Sequence, residues 1–250
     1  MCDKPETFMH KILFSLLIAT SLISCIKKEQ EIIDDAIEIQ GGSSFQNIHT
    51  AFTFRGIDYK FERNKGDYTY QRTLKDSLGN TITDVLRNNS FQRLINNTPV
   101  SLSDSTAKKY ENSVNSVAYF FFLPYGLNDP AVNKAYEKEV TIKGQKYHQI
   151  RVWFDEEGGG EDHQDIYKFW INANSKTVDY LAYSYETSGG GVRFREAINR
   201  QKVGPFFFQD YNNYGYEDQN YDLDELPVDY EKGTLPFLSK IENENISLVP

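Results

Sequence analysis

Cysteine and long apolar runs are scarce in this sequence, and each scarcity excludes a class of protein. Only two of the 250 residues are cysteines, so a dense disulfide framework is excluded and a hydrophobic core must stabilise the fold. Beyond residue 25 the most apolar run covers residues 119–123, whereas a membrane-spanning helix needs about 20 apolar residues. That part of the chain therefore predicts no transmembrane helix.

An excess of positive charge is also missing. The chain has 27 lysines and arginines against 36 aspartates and glutamates, which gives a net charge of −9. This balance argues against a nucleic-acid partner and against electrostatic binding to an anionic lipid surface. A hydrophobic content of 39% and a charged content of 25% instead match an ordinary globular protein.

The first 25 residues have the pattern of an export signal followed by a lipid attachment site. A basic residue precedes an apolar run over residues 12–23, which suits the core of a signal peptide. The run ends in an aliphatic residue, a branched residue, Ser24 and Cys25, which is the order of a bacterial lipobox. We predict a signal peptide over residues 1–24, with translation starting at Met9, and a diacylglycerol on the Cys25 thiol.

This N-terminus predicts an exported protein that its acyl chains anchor in the bacterial envelope, with the outer membrane as the expected location. Residues 25–44 are expected to form the lipidated end, a tether and a short helix, because Ile33, Ala36 and Ile37 lie three and four residues apart. Residues 45–250 contain no linker rich in glycine, serine or proline, so we expect one β-rich domain there.

Alternating apolar residues predict antiparallel strands through most of this domain. Phe52 and Phe54 alternate with polar neighbours, Gly56 marks a turn, and Tyr59 and Phe61 alternate again, which is the pattern of a hairpin. Similar segments recur before residue 95 and after residue 139, so both halves of the domain are expected to be strand-rich.

One amphipathic helix is predicted between these halves, from Ser103 to Phe122, with Ser103 as its cap. Its apolar stripe consists of Ala107, Tyr110, Val114, Val117, Ala118 and Phe121. A second, shorter helix is expected to start at Asp129, with Pro130 in its first turn. The expected fold class is mainly β (α+β), with a curved antiparallel sheet or half-barrel wrapped on the one amphipathic helix.

An acidic segment offers the best metal-ligand candidates. If the chain is extended there, Glu161, His163 and Asp165 share one face, and carboxylates with an imidazole can bind Ca²⁺, Mn²⁺ or Zn²⁺. The spacing matches no closed zinc site and no EF-hand, and an acidic solvated hairpin loop is the interpretation that we favour. The sequence therefore predicts no cofactor.

Two arginines and two tyrosines form a candidate ligand-binding rim. Arg193 and Arg195 alternate after a run of three glycines, and Tyr183 and Tyr185 alternate before it. The arginines could contact an anionic ligand or pair with acids beside the glycine run at residues 158–160, and we favour the internal pairing. Neither glycine run has the lysine and hydroxyl residue of a phosphate-binding loop.

No catalytic residue is predicted. The chain has no Gly-x-Ser-x-Gly motif and no serine beside a histidine and aspartate pattern. A carbohydrate-binding or carbohydrate-active protein stays open as an alternative, because Tyr211, Tyr214 and Tyr216, with the two rim tyrosines, could stack on sugars. Ordinary packing in strands also explains these tyrosines.

Three segments carry a resemblance to a known family. Residues 120–134, 154–162 and 178–197 resemble the conserved blocks of an uncharacterised envelope lipoprotein family common in Bacteroidota. The order of strands and helix is similar to the half-barrel fold of lipoprotein-localisation carriers. The resemblance implies a fold but no activity, because function does not follow from fold alone.

The resulting expectation is a non-enzymatic, lipid-anchored envelope protein. Its curved sheet is expected to hold a hydrophobic or lipid-like ligand, or a protein partner, between the sheet and the helix.

Overall fold

The computed structural model describes residues 27–157, 165–186 and 189–250. Within them, three α-helices span Lys28–Gln40 (α1), Asp104–Phe121 (α2) and Leu226–Lys232 (α3), and two 3₁₀ turns span Gly42–Gln46 and Tyr125–Asn128. The strands before α2 are β1 (Asn47–Phe54), β2 (Ile57–Asn64), β3 (Asp67–Lys75), β4 (Thr81–Arg87), β5 (Ser90–Ile95) and β6 (Thr98–Val100). The later strands are β7 (Val132–Ile142), β8 (Gln145–Phe154), β9 (Tyr167–Asn172), β10 (Val178–Tyr185), β11 (Gly191–Val203), β12 (Phe206–Tyr216), β13 (Phe237–Ile241) and β14 (Asn243–Leu248).

These strands form two seven-stranded antiparallel sheets, which confirms the mainly β fold class. The first sheet has the order β14-β1-β2-β3-β4-β5-β6, and the second has the order β13-β12-β11-β10-β9-β8-β7. The C-terminal segment joins an edge of one sheet to an edge of the other, because only Glu242 separates β13 from β14. The predicted first hairpin is confirmed, with Phe54 paired to Ile57 across the turn.

Helix α2 is the amphipathic helix that the sequence predicts, and it lies between the two sheets. The Ser103 hydroxyl accepts a hydrogen bond from the Thr106 amide at 3.4 Å, so the helix has the expected cap. Its buried face packs on the first sheet, where the Phe121 ring stacks on Phe52 with 4.0 Å between the centroids. On its other side Phe120 approaches Tyr183 of β10, in the second sheet, at 5.6 Å. The helix therefore contacts both sheets.

Helix α1 belongs to the packed body of the protein. Ile32, Ile33, Ala36 and Ile37 are buried in a cluster with residues of β8, β9 and β10. The helix ends at Gly41, where φ is +147° and an added Cβ would lie 2.9 Å from a ring atom of Phe206. Glycine therefore satisfies both the backbone angle and the close approach of β12 at this position.

The helix expected to start at Asp129 is not present, so that prediction is wrong. The 3₁₀ turn of Tyr125–Asn128 comes before this position, and β7 begins at Val132. Asp129 is extended, with φ −65° and ψ 148°, as a helix cap would be, but only one turn follows, closed by a hydrogen bond from the Val132 amide to the Asp129 carbonyl at 2.9 Å. From Val132 onward the chain pairs with β8, and this pairing takes the place of the expected helix.

The outer face of the second sheet is covered by the segment that contains α3. Leu226 and Tyr230 of α3 join Trp170 and Phe194 in a buried cluster on this face. The Glu196 carboxylate of β11 links the sheet to the helix, because it accepts a hydrogen bond from the hydroxyl of Tyr230 on α3. It also accepts one, at 2.9 Å, from the side-chain amide of Asn212 on β12. The second sheet is thus packed on both faces, with α1 and α2 on one side and α3 on the other.

Candidate functional site

A cavity of about 380 Å³ lies where α2 faces both sheets. We call it the α2 pocket, and its lining includes Ile57, Arg72, Val117, Phe120, Tyr183 and Arg195. These residues come from β2, β3, α2, β10 and β11, so the pocket depends on the packing of the helix against the two sheets. Its volume falls within the range of about 300–1,000 Å³ that is typical of small-molecule sites.

The lining of the α2 pocket combines apolar side chains with positive charge. Aromatic rings and aliphatic side chains form most of the wall, and Arg55 joins Arg72 and Arg195 as its third arginine. Among the residues that the structure describes, no aspartate or glutamate lines the pocket. The site is therefore apolar and cationic, in a chain whose net charge is −9.

Arg195 is one of two buried arginines in this lining, with only 9% of its surface exposed. Its guanidinium lies over the Phe120 ring, 3.8 Å from Cζ to the ring centroid, and Nη2 donates a hydrogen bond to the Tyr183 hydroxyl at 2.9 Å. Its Nε is buried and has no hydrogen-bond acceptor among the residues that the structure describes. Within the described part of the chain, no carboxylate lies within 4.0 Å of this guanidinium.

Arg72 is held in a buried charge cluster at the wall of the pocket. The Asp84 carboxylate is fully buried and accepts a hydrogen bond from Arg72 Nε at 2.7 Å. It also accepts from Arg93, at 2.6 and 2.8 Å. Arg72 Nη1 donates to the hydroxyl of Ser113 on α2 at 2.6 Å, which ties the helix to β3. One carboxylate therefore serves two guanidinium groups, and the cluster keeps a net positive charge.

The four predicted rim residues lie on one face of neighbouring strands, but only two of them line the pocket. Tyr183 and Arg195 do so, whereas Arg193 pairs with Glu217 at 2.9 Å and lies over the Tyr185 ring at 4.7 Å. Burial raises the pKa of Tyr185, and the nearby charge of Arg193 partly opposes this effect. The structure thus places one arginine in an ion pair and the other in the pocket.

A second cavity, of about 410 Å³, lies on the opposite side of α2, where Arg63, Tyr68, Tyr119 and Asp129 are among its lining residues. Burial raises the pKa of Asp129, although the positive charges of Arg63 and Lys134 oppose the shift. Arg63 here donates to the Tyr70 hydroxyl at 2.6 Å, so its hydrogen-bonding capacity is partly used within the fold.

The other predicted site residues lie largely outside the described residues. This holds for Cys25 and for two of the three metal candidates, Glu161 and His163, whereas Asp165 is described and buried. Within the described residues, no three histidine, cysteine, aspartate or glutamate side chains form a group that could hold a metal. No helix of the described part is long and apolar enough to cross a bilayer.

The tyrosines considered for sugar stacking do not form one surface. Tyr211 packs in the cluster around α1, whereas Tyr214 and Tyr216 pack on the outer face of the second sheet, against the α3 segment. Sequence reasoning missed Arg55, Arg72 and Phe120 as site residues. Only the tertiary packing of β1 to β3 and α2 brings these side chains to the same pocket.

The fold has counterparts among solved structures. It is similar to that of a LolA superfamily protein from Nitrosomonas europaea, with a TM-score of 0.51 and 9% identity over 89% of this chain and 94% of that chain. A domain assigned to outer membrane lipoprotein sorting in Vibrio parahaemolyticus has a TM-score of 0.45 and 6% identity, over 88% and 92% of the two chains. A DUF1329 family protein from Desulfovibrio piger has a TM-score of 0.42 and 9% identity, over 87% and 92%.

The chain belongs to a family of unknown function, DUF6503, whose sequence profile matches residues 11–243. No curated protein matches the sequence. These findings confirm the resemblance to a family without an assigned activity and the similarity to the fold of lipoprotein-localisation proteins. At such low identity, the structural similarity shows the fold alone.

Proposed function

We propose that this protein binds a hydrophobic, lipid-like ligand in the α2 pocket and catalyses no reaction. The observation that carries the proposal is the cavity of about 380 Å³ between α2 and the two sheets. Phe54, Ile57, Val117, Phe120 and Ile241 supply apolar contact surface there. Transfer of an apolar ligand from water into this space buries its surface, and this burial is favourable by about 25 cal/mol for each Å².

The position of the pocket supports binding rather than simple imperfect packing. Ser113 and Ser116 of α2 are exposed and also line the cavity, so the pocket reaches the protein surface. The residues below them are well packed, since Phe121 is buried and stacks on Phe208 with 4.7 Å between the ring centroids. A cavity with an opening above a packed floor is the form expected of a ligand site.

We also propose that the protein acts in the bacterial envelope, held at the outer membrane by acyl chains on Cys25. The lipobox that ends at Cys25 supports this location. Helix α1 begins at Lys28, so the packed body follows the proposed anchor within a few residues. Such a short connection would hold the body, including the pocket, near the membrane surface.

Photo-cross-linking in the envelope tests the proposal with the full chain. A photoreactive amino acid replaces Ser116, which lines the pocket and is exposed, and a matched control carries it at Lys109, which is exposed about two helical turns earlier on α2 and does not line the pocket. After irradiation of cells, mass spectrometry of the purified protein identifies each adduct. A lipid-sized adduct at position 116 that is absent at position 109 is expected. A protein adduct at position 116, or no specific adduct there, would contradict the proposal.

A further inference from the structure

The α2 pocket contains a buried cation whose charge is not balanced within the described residues. Arg195 is nine-tenths buried, and no described carboxylate lies within 4.0 Å of it. It contacts the Phe120 ring and the Tyr183 hydroxyl, and none of the described residues offers Nε a hydrogen-bond acceptor. A buried guanidinium without an anion is unfavourable, so the site is complementary to a negatively charged group.

The neighbouring arginine on the same strand, unlike Arg195, is paired with an acid. Arg193 lies two residues away on the same face of β11, is less buried, and forms an ion pair with Glu217 at 2.9 Å. Arg200 of β11 likewise pairs with Asp179, at 2.8 Å. Among these three arginines of β11, only Arg195 faces the pocket, and only Arg195 lacks a described carboxylate partner.

The other charged residues around the pocket strengthen the positive potential. Arg72 shares the single carboxylate of Asp84 with Arg93, and Arg55 lies at the β1–β2 turn beside the cavity. No acid opposes them among the described lining residues. Because low-dielectric walls concentrate such a field, an anion is favoured inside this pocket even though the whole chain is acidic.

We infer that the ligand of the α2 pocket is a single-chain amphiphile with an anionic head group, which Arg195 binds through its free Nε–H. This inference rests on the proposed function, since it specifies the chemical class of the same ligand. The head group is a carboxylate or a phosphate, which a guanidinium recognises through charge-assisted hydrogen bonds. The single chain follows from the volume of about 380 Å³, which lies near the lower end of the range for ligand sites.

Head-group selectivity in envelopes that contain the full chain tests the inference. Four photoreactive probes share one long alkyl chain and differ in the head group: a carboxylate, a monoalkyl phosphate, an alcohol and an amine. Labelling of the protein is quantified after irradiation, and the labelled peptide is mapped. We expect one or both anionic probes to label the pocket segment of α2 at least about tenfold more than the alcohol. The reason is that an anionic head group accepts a charge-assisted hydrogen bond from Arg195, whereas the neutral alcohol does not. The ratio of carboxylate to phosphate labelling distinguishes the two head groups.

Variants of Arg195 connect the selectivity to this side chain. Arg195→Gln should reduce labelling by the anionic probes to the level of the alcohol, and Arg195→Lys, which keeps the charge, should retain part of it. Lys202→Gln removes the same charge from an exposed position on β11 and should change nothing. The comparison of probes on the unaltered chain does not depend on the folding of any variant.

The outcomes separate the two proposals. Equal labelling of the pocket by all four probes, or stronger labelling by the amine, would overturn the anionic head group and leave hydrophobic binding intact. Anionic selectivity that persists in Arg195→Gln would overturn the role of Arg195. No labelling of α2 by any probe would contradict the proposed function itself.

Discussion

Arg195 of β11 lies over the ring of Phe120 on α2, with 3.8 Å between the guanidinium carbon and the ring centroid. This contact joins the helix to the second sheet at the wall of the cavity, and both residues line it. Stacking on an aromatic ring holds the plane of the guanidinium while leaving its edge free for hydrogen bonds. The contact therefore positions a cation in a largely apolar pocket.

Filling the pocket with a larger side chain should block the ligand. In Ile57→Trp, the indole would occupy part of the space of about 380 Å³ between β2 and α2. We expect the photo-adduct formed from position 116 to fall to the background of the position 109 control. Glu62→Trp, on an exposed position of the same strand, should leave the adduct yield unchanged. An undiminished adduct in Ile57→Trp would mean that the ligand binds elsewhere.

Loss of the carboxylate between two buried arginines should destabilise the fold strongly. Asp84→Asn removes the negative charge that Arg72 and Arg93 share, and the side chain is fully buried. We expect the free energy of unfolding to fall by about 3–5 kcal/mol, as measured by denaturant titration. Asp58→Asn, at an exposed position of β2, serves as the control and should have little effect. A loss below about 1 kcal/mol for Asp84→Asn would show that the cluster is not needed for stability.

The attachment of α3 should depend on pH through Glu196. Burial acts to raise the pKa of this carboxyl, but hydrogen bonds from Asn212, Tyr230 and Tyr214 and the charge of Lys143 outweigh it, so the pKa lies below its ordinary value of 4.5. A carboxyl with a lowered folded pKa contributes stability above its unfolded pKa, and this contribution is lost as the pH falls through the folded pKa.

Glu196→Gln should therefore lower stability by about 1.5–3 kcal/mol at pH 7, the usual effect of losing hydrogen bonds to a charged group. The difference from the unaltered protein should shrink below pH 4.5 and vanish under more acidic conditions. Thermal unfolding across this pH range measures it, with Glu244→Gln on the exposed edge strand as control. A gap that stays constant or widens in acid would contradict the ionised, hydrogen-bonded state of Glu196.

Membrane attachment should depend on one of the two cysteines. Cys25→Ser removes the thiol that the lipobox presents, so the protein should lose its acyl anchor, and its mass should lack the diacylglycerol. Cys2→Ser is the matched control and should leave acylation unchanged, because residue 2 lies in the predicted signal segment. Fractionation with mass analysis of the membrane-bound protein checks both variants. An acylated Cys25→Ser protein would refute the assignment.

Local patterns in the sequence predict the elements well, because the signals for each element lie within that element. The spacing of Ile33, Ala36 and Ile37 predicts α1, and the Ser103 cap with its apolar stripe predicts α2. The wrong helix start at Asp129 shows the limit, since a cap and proline pattern is local, whereas the pairing of Val132 with Phe154 of β8 that replaces the helix is a long-range contact.

The division into two sheets and the composition of the pocket could not be predicted in this way. The sequence identifies Arg193 and Arg195 equally as candidates for the ligand-binding rim, because both lie on the same face of one strand. Their roles separate only through distant residues: Glu217 neutralises one, and Phe120 of α2 covers the other. Such long-range contacts leave no local pattern in a single sequence.

Native mass spectrometry of the full chain extracted from its own envelope tests the central claim most directly. The account predicts a noncovalent adduct with the mass of a single-chain lipid, released on denaturation and much reduced when Ile57→Trp narrows the pocket. A protein whose mass equals the acylated chain alone, under conditions that keep it folded, would contradict ligand binding in the α2 pocket.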